Sequence, residues 1–559
     1  MSRSHPVCRI LLILFTTTMT VQAAEPTTHR MPRVIVMNDE GTMYRYYMPE
    51  RPEVTDVQRM LDIYPRSGVD TLAQCFHVRF QAFYDSQVAE IAGDLTPEAV
   101  RPFELTHYWQ MITAMRHLVA EGNDPPRVMA SALHERGMLF LAGLRLNDKH
   151  GLQPWEGHYG SLRRDHPQWK LADAGNAGMD YAVPQVREAV LDVVRELAER
   201  YDIDGIDLDF MRWPHYFQDE AVRENTPVMT GFVREIRAIL DEAGEKKGRH
   251  LLLMARVPLK IGTGDVINAY ELHVDLECLG VGLDVPTWIR EELIDVVSPM
   301  GFFHNEWDRM ITALPQWRRL TEASRCRLYP TIHGSVAHGY DEPYITAASY
   351  RGAAYSYLKH GADGIAIYNF WPQYEELGPL RWHDPLGAIP GLGDVSFLAS
   401  KARRYHCLVG GKVIVGPHDA QLTRKDERKA IDFFLPEDPN SVGVVSRLRF
   451  VGRNLTGGHI FAVDINGTPV DPDTVQMSRL LSHGGTPDGQ YANVVEISLA
   501  DSGAVLGANV LGVKWIQGNP EIPFKRATNN GALWGGFIVS EVEAIFEPSQ
   551  DHSRQPNVR

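Results

Sequence analysis

The stretch that decides the fold is Tyr201-Asp202-Ile203-Asp204-Gly205-Ile206-Asp207-Leu208-Asp209-Phe210-Met211-Arg212-Trp213-Pro214. Ahead of it, Val186, Ala189, Val190, Val193, Val194 and Leu197 recur at helical spacing. Within it, Ile206, Leu208 and Phe210 alternate with Asp207 and Asp209. That change of period, from 3.6 to 2, reads as an amphipathic helix followed by a short strand over Gly205–Asp209. On a strand of period two both carboxylates lie on one face.

The same alternation of apolar run and helical pattern repeats on either side. Strand candidates are Val34–Met37, Thr71–His77, Met138–Leu144, Gly205–Asp209, Leu251–Ala255, Val296–Met300, a seventh led by Arg327–Tyr329, and Gly364–Tyr368. About eight strand–helix repeats predict an α/β fold, a (β/α)8 TIM-like barrel. An open doubly wound sheet is the rival, but the loop after the first strand reads Asn38-Asp39-Glu40-Gly41, with no Gly-rich phosphate-binding pattern. Ala399–Tyr405 is expected to be a last helix closing the barrel. Beyond about residue 415 the pattern becomes short strands at Gly443–Phe450, His459–Ile465, Asn493–Leu499, Val510–Trp515 and Trp534–Phe546, separated by Gly, Asn and Pro. These predict a small C-terminal β-sandwich. The expected division is 1–24 signal peptide, 25–405 barrel and 406–559 sandwich.

Arg3 and Arg9 precede the apolar run Ile10–Phe15, and Val21-Gln22-Ala23-Ala24 supplies small residues for cleavage. This reads as a secretory signal, so the expected location is secreted or periplasmic. The apolar run is too short for a bilayer span. Across 559 residues the formal charge is −15 and the mean hydropathy is −0.24. That balance argues against nucleic-acid backbone binding and against a multi-span membrane protein. Cys8 lies in the leader, and Cys75, Cys278, Cys326 and Cys407 are far apart with no Cys-x-x-Cys. Zinc and redox motifs are therefore not indicated, and the four are read either as buried thiols or as one or two bridges. The histidines and acids around residues 150–166 include no His-Glu-x-x-His pattern, so neither metal nor cofactor is expected.

In a barrel the shared face of Asp207 and Asp209 points inward, towards the C-terminal mouth where barrel enzymes build their sites. Buried like charges need partners or work to do, and Arg212 follows closely enough to be a partner. The run Gly-Ile-Asp-Leu-Asp-Phe-x-Arg-x-Pro (Gly205 to Pro214) resembles the fourth-strand motif of the family 10 glycosidase-like proteins and of related barrels of the α-galactosidase and amylase type. The resemblance implies a glycoside hydrolase acting on a polysaccharide or oligosaccharide, with Asp209 as nucleophile and Asp207 as a supporting acid. The chitinase-type motif overlaps, but Met211 stands where its catalytic Glu belongs.

Glycoside hydrolysis needs a second carboxylate. Barrels of this type often carry the acid after strand six, which makes Glu306 the first candidate. Asp284 is the second, although it also reads as a helix cap, and Asp148 is the third. Other expected strand ends carry groups suited to sugar hydroxyls and ring faces: His77, Arg79, Arg145, Asn147, Arg212, Arg256, His333, Tyr368, Asn369 and Trp371. The repeated arginines either indicate an anionic sugar or balance the acidic site. The alternative functions are a non-catalytic carbohydrate-binding or surface protein with a barrel fold, and a polysaccharide lyase or epimerase.

Overall fold

The structure, a computed structural model, describes residues 31–39, 41, 44, 48–94, 106–148, 160–172, 178–263, 276–301, 307–334, 346–368, 390–407, 420–422, 425–479, 492–518 and 537–549. Eight strands carry the first part of the chain: β1 (Val34–Asn38), β2 (Thr71–Val78), β3 (Leu139–Arg145), β4 (Gly205–Asp209), β5 (Leu252–Pro258), β6 (Val296–Met300), β7 (Thr331–His333) and β8 (Ile365–Tyr368). All are parallel, each pairs with the next in chain order, and β8 pairs with β1 to close the ring. This is the expected (β/α)8 barrel.

Helices cover the outside, among them α1 (Pro184–Arg200) ahead of β4 and α2 (Val222–Lys247) behind it. In α1, Val186, Val190, Val193, Val194 and Leu197 are buried as the spacing predicted, while Ala189 is half-buried. Gly205 is required where β4 begins, because a Cβ there would strike the Leu252 carbonyl of β5. The seventh strand starts later than expected. Arg327–Leu328 pairs with β6, Pro330 intervenes, and the strand that joins β8 is Thr331–His333. Pro330 has no N–H to give a ladder, so the pairing divides there.

The expected last helix is also displaced. Helix α3 (Val395–Ala399) starts on Asp394, whose carboxylate accepts from the Ser396 and Phe397 N–H groups, and it ends at Ala399. Arg403–Cys407 is instead a strand, β9, with Arg403, Tyr405 and Cys407 buried and Arg404 and His406 half-buried. That period-two burial marks a strand, and seven residues were too few to tell it from a helical period. Strand β9 crosses the expected domain boundary at residue 405.

The C-terminal part adds β10 (Ala420–Leu422), β11 (Arg428–Leu435), β12 (Val444–Arg453), β13 (Ile460–Ile465), β14 (Thr468–Pro469), β15 (Gln476–Arg479), β16 (Ala492–Ser498), β17 (Gly507–Gln517) and β18 (Phe537–Pro548). One antiparallel sheet runs β9-β18-β12-β16-β15, with β10 also on β18, and the other runs β11-β17-β13-β14. Ile431, Phe433 and Leu435 from one sheet and Leu448, Phe450, Val495 and Ile497 from the other belong to one buried core. The sandwich is fastened to the barrel by side chains. Trp307 Nε1 donates to the His406 carbonyl at 2.6 Å, and the Trp307 and Tyr405 rings lie 5.0 Å apart. Arg403 grips Glu437 with Nε and Nη2 at 2.7 and 2.8 Å while Nη1 donates to the Leu398, Ala399 and Lys401 carbonyls.

Candidate active site

The inward faces of the strands meet at the C-terminal mouth. Along the register, Arg145 of β3 pairs with Asp209 of β4, and Asp209 pairs with Arg256 of β5. Asp209 is thus flanked by two cations because of strand register alone. Its Oδ2 is in ion-pair contact with Arg256 Nη2 and lies 3.5 Å from Arg145 Nε. Its Oδ1 accepts from the N–H groups of Met211 and Arg212, at 2.8 and 3.1 Å. Those charge-assisted bonds fix the carboxylate in place.

Two further aspartates share the arginines. Asp148 accepts from Arg145 Nη1 at 2.8 Å and lies 3.8 Å from Arg79 Nη1. Asp39, one residue past β1, is in ion-pair contact with Arg145 Nη2 and accepts from the Tyr368 hydroxyl at 2.9 Å. Tyr368 also takes a 2.6 Å bond from Arg145 and lies under Arg256, whose Cζ is 3.7 Å from the ring centroid. Arg79, Arg145 and Arg256 are therefore matched by Asp39, Asp148 and Asp209.

Asp207 is the acid left over. It is 4% exposed, and its Oδ1 has no hydrogen-bond partner among the described residues. Its register neighbours, Gly143 and Met254, offer no polar side chain. Burial pushes its pKa up to about 7, Arg256 opposes that, and the like charge of Asp209 adds to it. Two carboxylates a pleat apart thus have opposite environments: one clamped between guanidiniums, the other desolvated and holding a proton near neutrality.

The turn after β2 shows stored strain. His77 and Val78 pair antiparallel with Ala82 and Gln81, so Arg79 and Phe80 form a two-residue hairpin loop. Both have positive φ, 54° and 60°, the primed-turn conformation that favours Asn-Gly. Such positions cost of order 1–3 kcal/mol each and cluster at functional sites. Here the turn carries the Arg79 guanidinium to Asp148.

The remaining expected residues divide. His77 is 2% exposed with Nδ1 unpartnered among the described residues, and burial lowers its pKa to about 4. His333 packs edge-on to Tyr368, ring centroids 5.4 Å apart. Asn147 is committed to the scaffold: its Oδ1 accepts from Met179 N–H, and its Nδ2 donates to the Met179 and His215 carbonyls. Arg212 is half-buried and reaches Asp209 through its backbone. Asp284 caps a short helix, accepting from the Thr287 N–H and hydroxyl at 3.1 and 2.6 Å. Glu306, Asn369 and Trp371 lie outside the described residues. Asp39 was not among the expected residues. Its signal was available, since it is an acid at the end of a barrel strand as Asp209 is, but its loop was read only for a phosphate-binding pattern.

No protein-family model matches the chain, and no curated protein matches it. Among solved structures it is similar to the PgaB (BpsB) glycoside hydrolase domain from Bordetella bronchiseptica, at 11% identity over 65% of this chain and 98% of that one, TM-score 0.38. It is similar to the noncanonic maltogenic alpha-amylase AmyB from Thermotoga neapolitana, at 12% identity over 85% and 98%, TM-score 0.38. It is also similar to the endo-beta-1,4-mannanase from Thermotoga petrophila, at 10% identity over 86% and 97%, TM-score 0.38. None of these likenesses assigns the chain to the family 10 glycosidase-like proteins or to the α-galactosidase and amylase types.

Proposed function

We propose that the chain is an exported glycoside hydrolase acting on a polysaccharide or oligosaccharide. The observation that carries the reading is the contrast between Asp209, clamped between Arg145 and Arg256, and Asp207, desolvated beneath it with a pKa of about 7. Asp209 is the nucleophile or base. Asp207, holding its proton, keeps a second negative charge away from Asp209 and supports it from below. Glu306, which follows β6 along the chain, supplies the proton to the leaving oxygen. Cleavage of a glycosidic bond requires an acid beside the nucleophile or base, and Glu306 is given that place. Of the four arginines that raised an anionic sugar as an option, Arg79, Arg145 and Arg256 are matched by aspartates, which favours a glycan without charge. Export rests on residues 1–24 of the sequence. No helix among the described residues is long and apolar enough to cross a membrane.

The second reading is a carbohydrate-binding barrel without turnover. It is favoured by the surroundings of Asp209, whose Oδ1 accepts from two N–H groups and whose Oδ2 lies in ion-pair range of two guanidiniums, although no hydrogen bond reaches Oδ2 among the described residues. Product release from a panel of neutral, uronic and sulfated polysaccharides, with wild type and Asp209→Asn side by side, separates the readings. Cleavage of one glycan, lost in a folded Asp209→Asn chain, supports hydrolysis. Binding without product supports the second reading, and an unsaturated uronic product identifies a lyase.

A further inference from the structure

We propose that Asp39 is a substrate-contacting residue that accepts hydrogen bonds from hydroxyl groups of the reacting sugar; the inference rests on the glycoside reading and deepens it. Asn38, the residue before it, points away from the barrel mouth, its amide bonded to Tyr64 and Gln74. By the alternation of the strand, Asp39 faces the mouth, where it meets Arg145 and Tyr368. Its main chain is fixed as well, since Gln74 Nε2 donates to the Asp39 carbonyl at 2.9 Å.

Three features distinguish it from the other acids of the network. Its side chain is 21% exposed, against 0% for Asp148 and 5% for Asp209. Only its Oδ1 is engaged, and Oδ2 has no partner among the described residues. Its two partners both donate, so towards them the carboxylate acts as an acceptor. A cation would gain little there, because Arg145 already answers the charge. Hydroxyl donors gain a charge-assisted bond without adding charge, and sugars present such hydroxyls in pairs. The location fits the reacting sugar. Arg145 touches both Asp39 and Asp209, so the two carboxylates share one guanidinium, and a ring held on Asp39 Oδ2 lies beside Asp209.

The test is titration calorimetry of cello-, manno-, chito-, malto- and galacto-oligosaccharides against the full chain carrying Asp209→Asn. It is repeated with Asp39→Asn and, separately, Tyr368→Phe added. At least one oligosaccharide is expected to bind the first chain, and to bind at least tenfold more weakly once Asp39 is replaced. Tyr368→Phe keeps the ring over Arg256 but unpins Oδ1, and a several-fold loss is expected; it carries the test should Asp39→Asn fail to fold. A deoxy analogue of the bound sugar, lacking the hydroxyl held by Asp39, is expected to bind equally to chains with and without Asp39→Asn. Affinity unchanged within twofold in both added variants overturns the subsite and leaves the glycoside reading standing. If no glycan is bound by the Asp209→Asn chain or cleaved by wild type, both fall.

Discussion

Asp209 and Arg256 stand directly opposite each other in the register of β4 and β5, and the guanidinium closes on the carboxylate while stacking on Tyr368. Both are almost wholly buried, Asp209 at 4% and Arg256 at 2% exposed. Desolvating such a pair is costly, and breaking it leaves an unanswered charge in a low-dielectric interior. Arg256→Met is therefore expected to destabilise the fold by about 3–5 kcal/mol, read as a shift in the urea midpoint. A loss under about 1 kcal/mol, the range of exposed pairs, would show the pair to be solvated.

Asp209→Asn keeps the shape of the side chain and removes its charge. On the proposed chemistry, turnover falls by about 10²–10⁴-fold, with a native circular-dichroism spectrum. Equal rates for variant and wild type would remove Asp209 from the reaction.

Asp207 makes stability depend on pH in an unusual direction. Between the unfolded carboxyl's pKa of about 3.9 and the folded value of about 7, the folded chain keeps a proton that the unfolded chain has lost. Stability from this group is complete below the lower value and falls as pH rises through the upper one. Asp207→Asn removes that loss. Its gain over wild type is expected to grow from pH 5 to pH 8, by on the order of 2–4 kcal/mol at about 1.4 kcal/mol per pKa unit. Urea unfolding at the two pH values measures it, and a pH-independent difference would contradict the desolvated environment.

His77 acts with the opposite sign. Its folded pKa of about 4 lies below the unfolded value of about 6.5. The folded chain therefore refuses a proton that the unfolded chain accepts, and stability is lost as pH falls through that window. His77→Gln is expected to remove that loss, so its stability relative to wild type, read from urea midpoints, rises as pH falls from 6.5 to 4. Between pH 4 and 6.5 the two groups oppose each other, so each variant should steepen the slope left by the other.

Arg403 ties helix α3, strand β9 and Glu437 together. Its planar fork serves a carboxylate and three carbonyls at once, which an ammonium group does not reproduce. Arg403→Lys is expected to lower the melting temperature measurably although the charge is kept, and Arg403→Met by more. Equal melting temperatures for lysine and arginine would show that charge alone suffices.

Much of this architecture was legible along the chain. The helix over Val186–Leu197 and the strand over Gly205–Asp209 differ in hydrophobic period, and short apolar runs alternating with helical patterns mark the other barrel units. Where the local signal was short, it misled. Arg403–Cys407 offers five residues, too few to separate a period of 2 from one of 3.6, and its identity as a strand comes from pairing with Phe537–Pro548 far along the chain. Asp284 could be read from its own neighbours, because a helix cap is a local bond to the third residue on.

The sequence by itself determined that Asp207 and Asp209 share a face, because side-chain direction along a strand follows from backbone geometry that every residue carries with it. Only the tertiary structure decided what each does there. Closing eight strands into a ring brings Arg145, Arg256, Tyr368 and Asp39 from four different strand ends to one point. Strand register then gives Asp209 two guanidiniums and leaves Asp207 beside a glycine and a methionine. Charge pairing and desolvation depend on distances across the barrel, and those distances are set by closure and register, which no segment contains alone.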